Sequence, residues 1–238
     1  MGKITTYEYA QMANLVYQID TGANFYLSGF RCDLFDEGMS WGATKTDFKG
    51  CVYVSDEFKE VVVAFQGTKP SKLGDVVADV QILVGMLPQY CGAAMRLFDR
   101  AVAAYGNHAM TLVGHSLGGG MAQVIGHWTG IPFVTFNAPG MWGDIQRSKF
   151  LLWQPSNMIR SLKGTFKGSL FSKQMASTGR NFRNVLDPVS AYGFHYGPVM
   201  RFWGKGVHSM DDVAQRIFLS RWSTINPLDP LYKEWGEL

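Results

Sequence analysis

Ala109-Met110-Thr111-Leu112-Val113-Gly114-His115-Ser116-Leu117-Gly118-Gly119-Gly120-Met121 runs from strand-forming residues into a Gly-x-Ser-x-Gly pentad. A small-residue helix pattern leaves the pentad through Ala122, Val124, Ile125 and Trp128. That strand–turn–helix context makes it a nucleophile elbow rather than a chance run of glycines. The turn passes through strained backbone with no room for side chains on its flanks, hence Gly114 and Gly118 two residues either side of Ser116. Ser116 Oγ is thereby lifted above the sheet edge. The backbone N–H of Leu117, at the start of the helix, points where a carbonyl oxygen would become negative.

Working outward, the 238 residues, 47% apolar and 17% charged, suit one α/β domain over 1–238 with a thick interior. A net charge of +3 is too small to argue for nucleic acid. Residues 101–143 hold no Asp, Glu, Lys or Arg, but Gly114 to Gly120 and Pro132 cut the run into pieces too short to cross a bilayer. Strands buried between two helix layers read this way. Met1-Gly2-Lys3-Ile4-Thr5 enters a helix pattern without the long apolar core and small-residue cleavage site of a secretory signal, so the expectation is a cytoplasmic protein or one exported by a signal-independent route. Cys32, Cys51 and Cys91 are odd in number and lack C-x-x-C spacing, which suggests neither a disulfide framework nor a zinc site.

Thr5-x-x-Glu8 is a capping box, followed by Tyr9, Met12, Ala13, Val16 and Tyr17 at helical spacing. Residues 20–50 show no clear period and read as loop and short strand. Cys51–Val54 and Glu60–Phe65 form two strands about the polar turn 55–59. The second strand ends in Phe65-Gln66-Gly67-Thr68, and acyl transfer needs a second oxyanion donor from such a strand-end loop, which Thr68 can supply. Residues 70–88 are too apolar for a solvated loop and form either core or a hydrophobic flap, and Pro88 is expected to open a helix closed by Gly106-Asn107.

Phe65-Gln66-Gly67-Thr68, the following Asp79, the elbow at 114–119, and Val134-Thr135-Phe136-Asn137-Ala138-Pro139 resemble, in that order, the class 3 (fungal-type) lipases of the α/β-hydrolase superfamily. The resemblance implies the α/β-hydrolase fold: a central, mostly parallel sheet flanked by helices, with the elbow after a central strand. It also implies a serine carboxyl-ester hydrolase, a lipase or phospholipase, with Thr68 and Leu117 as oxyanion donors and a lid over about 70–88. No metal or organic cofactor is required.

In this superfamily the acid and then the histidine follow the serine in the chain. Asn181–Val189 reads as a short strand ending in Asp187-Pro188, which sets Asp187 at a strand terminus on the elbow's side; it also matches the family's acid signature. Asp144 follows a loop with no strand, and Asp211 and Asp212 sit in a first helical turn, where they favour the dipole. His108, His115 and His127 all precede the acid, leaving His195 and His208. His208-Ser209, before the last helix, resembles the family's base, whereas His195 resembles a position near the acid that is not catalytic. Ser116, Asp187 and His208 are therefore the expected catalytic residues.

Between Asp144 and Arg183 stand eight basic residues against one acid, interleaved with Phe150, Trp153, Phe166 and Phe171. This mixture, an insertion over about 144–180, suits peripheral contact with an anionic membrane surface. The expected partner is a lipid or other acyl-ester substrate, joined by an inhibitor or immunity protein if the chain is an effector of a secretion machine. The competing readings are an esterase or acyltransferase on soluble esters, and a non-catalytic binding protein on a hydrolase scaffold.

Overall fold

The computed structural model describes residues 4–21, 27, 29–37, 40–41, 44–45, 48–67, 76–142, 145, 179–206 and 208–229. Helix α1 (Thr6–Leu15) starts at the expected box: the Thr5 side chain accepts from the Glu8 N–H, and the Glu8 carboxylate accepts from the Thr5 N–H at 2.7 Å. A 3-10 segment, Val16–Thr21, follows. The strands are β1 (Arg31–Glu37), β2 (Ser40–Trp41), β3 (Thr44–Lys45), β4 (Lys49–Ser55), β5 (Glu60–Phe65), β6 (Ala109–His115), β7 (Phe133–Phe136), β8 (Gly179–Asn184) and β9 (Val199–Phe202). The remaining described helices are α2 (Val76–Tyr105), α3 (Leu117–Thr129), α4 (Pro188–Ala191) and α5 (Met210–Phe218).

Seven strands form one sheet in the order β1-β4-β5-β6-β7-β8-β9. The hairpin β4–β5 and the edge pair β1–β4 are antiparallel; every pairing from β5 to β9 is parallel. β6 is the middle strand. Its neighbours bury it on both faces, and alternate residues of each strand serve two separate cores. Val61, Val63, Phe65 and Leu112 pack with α2 and α3. Val62, Ala64 and Val113 pack on the other face with Tyr9, Met12 and Ala13 of α1 and Val213 and Ile217 of α5. Residues 111–128 and 133–141 of the charge-free run are buried in this doubly covered centre, whereas its beginning, 102–110, lies at the surface. The N–H and the hydroxyl of Thr6 both donate to the Ile225 carbonyl at 2.8 Å, so the first helix is seated against a late part of the chain.

Three local expectations differ from the structure. The region 20–50 contains β1, a seven-residue edge strand whose outer side has no partner strand among the described residues. Its Arg31, Asp33, Asp36 and Glu37 are the charges that suit such an edge, and they hide the strand from a search for apolar alternation. Pro88 does not open a helix but lies within α2, and Leu87 beside it is fully buried, while residues 70–75 and the side chains of 76–86 of the expected lid lie outside the described residues. Arg180, counted with the basic insertion, belongs to β8 and is 1% exposed, its guanidinium donating to the Gly179 carbonyl. Thr68, Asp144 and the apolar and basic groups of 146–178 lie outside the described residues.

The turn from β6 into α3 leaves no space for a side chain on either flank. A Cβ on Gly114 would stand 2.3 Å from the Gly118 carbonyl carbon, and one on Gly118 would stand 2.1 Å from the Phe65 carbonyl oxygen. One turn on, a Cβ on Gly120 would meet nothing nearer than Met141 Sδ at 3.4 Å. Gly114→Ala and Gly118→Ala are expected to lower unfolding free energy by roughly 3 kcal/mol or more, whereas Gly120→Ala should be neutral or stabilising by up to about 1 kcal/mol. Urea denaturation of the three variants checks the contrast.

Candidate active site

All the sequence-singled groups that the structure describes near Ser116 stand at the carboxyl ends of parallel strands, where open α/β sheets place their ligands. Ser116 is the N-cap of α3, with φ +56° and ψ −131°, a conformation that side-chain-bearing residues seldom adopt. It is held by its own N–H donating to the Phe136 carbonyl at 3.1 Å and by its carbonyl accepting from Gly120 N–H. The elbow aims Ser116 Oγ at His208 Nε2, 2.8 Å away. On the other side of that ring, His208 Nδ1 lies 3.0 Å from Asp187 Oδ2.

Asp187 reaches this place because β8 ends at Asn184 and the chain turns into α4, whose N-cap is Asp187. Its carboxylate accepts from Val189 N–H at 3.1 Å, Ser190 N–H at 3.3 Å and the His208 ring, and it is fully buried. Three N–H donors offset the desolvation of a buried carboxylate. The geometry settles the tautomer: Nδ1–H donates to Asp187, leaving Nε2 to accept from the serine hydroxyl. That is a hydroxyl, an imidazole and a carboxylate in line, all 6% exposed or less. Leu117 opens α3, whose first N–H groups have no partner within the helix.

His195, the other histidine left open by chain order, bonds the Ser190 carbonyl through Nε2 at 3.0 Å and touches neither Ser116 nor Asp187. Asp211 accepts from Asn14 Nδ2 at 2.7 Å, and Asp212 faces Arg216 at 3.8 Å; neither meets His208. Among the described residues no group of three or more His, Cys, Asp or Glu could hold a metal ion.

Four residues to which the sequence assigned no role in the site support it. Asn184, fully buried, accepts at Oδ1 from Gly204 N–H and donates through Nδ2 to the carbonyls of Gly204 and Gly206, gripping the loop that carries His208. Asn137, at φ +44°, accepts the Asn184 N–H at 2.7 Å, so the ends of β7 and β8 and the histidine loop form one unit. Tyr17 and His115 make a bridge on the opposite side. Tyr17 Oη accepts the Gly67 N–H at 3.1 Å and lies 3.0 Å from His115 Nδ1. Burial pushes the Tyr17 phenol up and His115 well down, so a protonated phenol and a neutral imidazole share this contact. The His115 ring lies 4.8 Å from that of His208. Gly67 itself is pressed against the nucleophile, since a Cβ there would stand 2.9 Å from Ser116 Cβ. Asn-Ala-Pro and the elbow histidine were visible as motifs; nothing in the spacing marked Tyr17 or Asn184 as their partners.

A model of the Tle-like phospholipase domain matches residues 8–149 of this chain. Extracellular phospholipase A1 of Serratia liquefaciens is 36% identical over 94 residues, 40% of this chain and 28% of that protein. Across the curated relatives it matches, the chain spans between 10% and 34% of their length. The crystal structure of a lipase from Rhizopus microsporus var. chinensis aligns at TM-score 0.53 and 15% identity over 84% of this chain and 74% of that one. Lip2 lipase of Yarrowia lipolytica aligns at 0.51 and 17% identity over 87% and 80%. With such neighbours, the mostly parallel seven-stranded sheet and its flanking helices are the α/β-hydrolase fold expected from the elbow.

Tyr17→Phe removes one hydroxyl without changing the packing, so labelling of Ser116 by a fluorophosphonate should slow about tenfold, the worth of roughly one buried hydrogen bond. An unchanged rate would show that the bridge does not steady the site. Burial also pushes His127 down to about 4. Between about 6.5 and 4 the unfolded chain then binds a proton that the folded chain refuses, so stability falls as pH drops through that window, by up to about 1.4 kcal/mol per pH unit. Denaturant titrations of wild type and His127→Phe from neutral to acid should show the shallower slope in the variant.

Proposed function

This chain belongs to the Tle-like phospholipase domain family, and from that premise we propose that it hydrolyses carboxyl esters of lipids through Ser116, His208 and Asp187. The observation that carries the reading is the alignment of Ser116 Oγ, 2.8 Å from His208 Nε2, with Asp187 on the far side of the same ring at 3.0 Å. His208 takes the hydroxyl proton as Ser116 attacks the ester carbonyl, and Asp187 keeps the ring in its tautomer and stabilises the imidazolium. Leu117 N–H, at the start of α3, and the Thr68 N–H and hydroxyl stabilise the oxyanion. His208 then passes the proton to the departing alcohol and draws one from the water that cleaves the acyl-enzyme. Every step uses side chains and backbone of this chain.

Lipid as the substrate class is supported by the rim of the site. Leu186, next to Asp187, is 54% exposed, and Trp203, just past β9, is 64% exposed. Both follow the carboxyl ends of strands, and Trp203 lies between Arg201 and Lys205 in the chain, as at an interface with anionic lipid. The six cations Arg147, Lys149, Arg160, Lys163, Lys167 and Lys173 extend the same chemistry along the chain, and we include a phospholipid surface in the proposal.

Purified protein assayed against triacylglycerol, phosphatidylglycerol, phosphatidylethanolamine and short p-nitrophenyl esters tests the reading. Activity is expected to rise when substrate passes from monomer to aggregate, and to be greatest on the phospholipids. Ser116→Ala should abolish it with the fold intact, and Asp187→Asn should reduce it by as much as about 10⁴, the loss known when a serine-protease triad loses its acid charge. Activity confined to the soluble esters would replace lipid with small esters as the substrate class.

A further inference from the structure

We propose that Cys32 and Cys51 are a site of disulfide formation that fastens the edge strand β1 to the sheet. The two Sγ atoms stand 3.1 Å apart, about 1 Å from bonding distance. A bulge creates the approach: Cys32 faces Tyr53 and Leu34 faces Val52, so Asp33 is the extra residue on β1. Cys51 lies two residues from Tyr53 on β4 and shares its face, in the core formed with α1 and α5. Cys32 therefore reaches it diagonally across the pair. Cys91 is fully buried in the core on the other side of the sheet, with α2 and α3, which resolves the odd number as one pair and one isolated thiol.

Access and chemistry favour the same direction. Cys32 is half-buried and reachable from solvent, while Cys51 is buried. The bond between the thiols holds the Cys32 group below its ordinary value, and burial holds Cys51 well above its own. Cys32 is thus the first thiolate. With a small-molecule disulfide such as oxidised glutathione as oxidant, the Cys32 thiolate attacks one sulfur, the S–S bond of the oxidant breaks, and one glutathione thiolate leaves. Cys51 then gives up its proton and attacks Cys32 Sγ, expelling the second glutathione. Two protein thiols are oxidised, one disulfide is reduced, and two protons pass to the two released thiols.

The cross-link closes an interval of 19 residues between the edge strand and its neighbour β4, restricting the unfolded chain without rearranging the folded one. It is independent of the hydrolase reading. In a glutathione redox buffer, titratable thiols are expected to fall from three to one, with the protein monomeric and a Cys32–Cys51 peptide recovered on digestion. The melting temperature should rise by on the order of 5–10 °C, reverse with dithiothreitol, persist in Cys91→Ser and vanish in Cys32→Ser. Because Cys32 is half-buried, that variant folds even if Cys51→Ser does not. Retention of three thiols, a glutathione adduct that stays on Cys32, linkage between molecules, or linkage without a thermal shift would each overturn the proposal.

Discussion

The first turn of α3 lies against the end of β5 so closely that the Phe65 carbonyl occupies the space a Cβ on Gly118 would need. This contact sets the distance between helix and sheet, and the distance sets the angle at which the chain must turn at Ser116. The strained φ of Ser116 is the result, and it is tolerated because glycine stands at 114, 118 and 119 and the backbone bond to Phe136 holds the turn from the other side. A side chain at any of those positions would push α3 outward and lower the serine into the sheet.

Around that turn the site is assembled from parts that are distant in the chain and adjacent at the carboxyl edge. β7 and β8 supply Asn137 and Asn184, and these two amides fix the loop that brings in His208. On the β5 side, Tyr17 reaches from behind α1 to join Gly67 and His115. The three central side chains are thus oriented by buried amides and one phenol on rigid strand ends, in the manner that keeps reacting groups within tenths of an ångström.

What could be read in advance follows from how local each feature is. The Thr5 box, the β4–β5 hairpin and the elbow are short patterns with their own turn chemistry, and each appears where expected. Asp187 and His208 were legible as candidates because chain order removes three histidines, because Asp187 reads as a strand terminus and because His208 enters the last helix. β1 was hidden since an edge strand carries charge at positions where a central one is apolar. Pro88 was misread because a proline marks a helix start only when nothing else holds the turns on both sides, and here Leu87 and Cys91 are anchored in the core. Arg180 looked like a surface cation, but its partner is the carbonyl of its own neighbour inside the sheet. Tyr17 meets Gly67 and His115 across 50 and 98 residues, and Asn184 grips Gly204 and Gly206 across 20 and 22, spans that no local pattern contains.

The bond from Thr6 to Ile225 has a consequence for the order of assembly. Helix α1 leaves the ribosome well before the groups that complete its cover, since its apolar face packs on β5 and β6 and also on α5 and the segment around Trp222. Tyr9, Met12 and Ala13 are therefore fully covered only after some 200 further residues have been made. Because Tyr17 follows directly from α1, its bridge to Gly67 and His115 forms only when that helix is seated, so the surroundings of Ser116 are completed only once the late segment that seats α1 has been made.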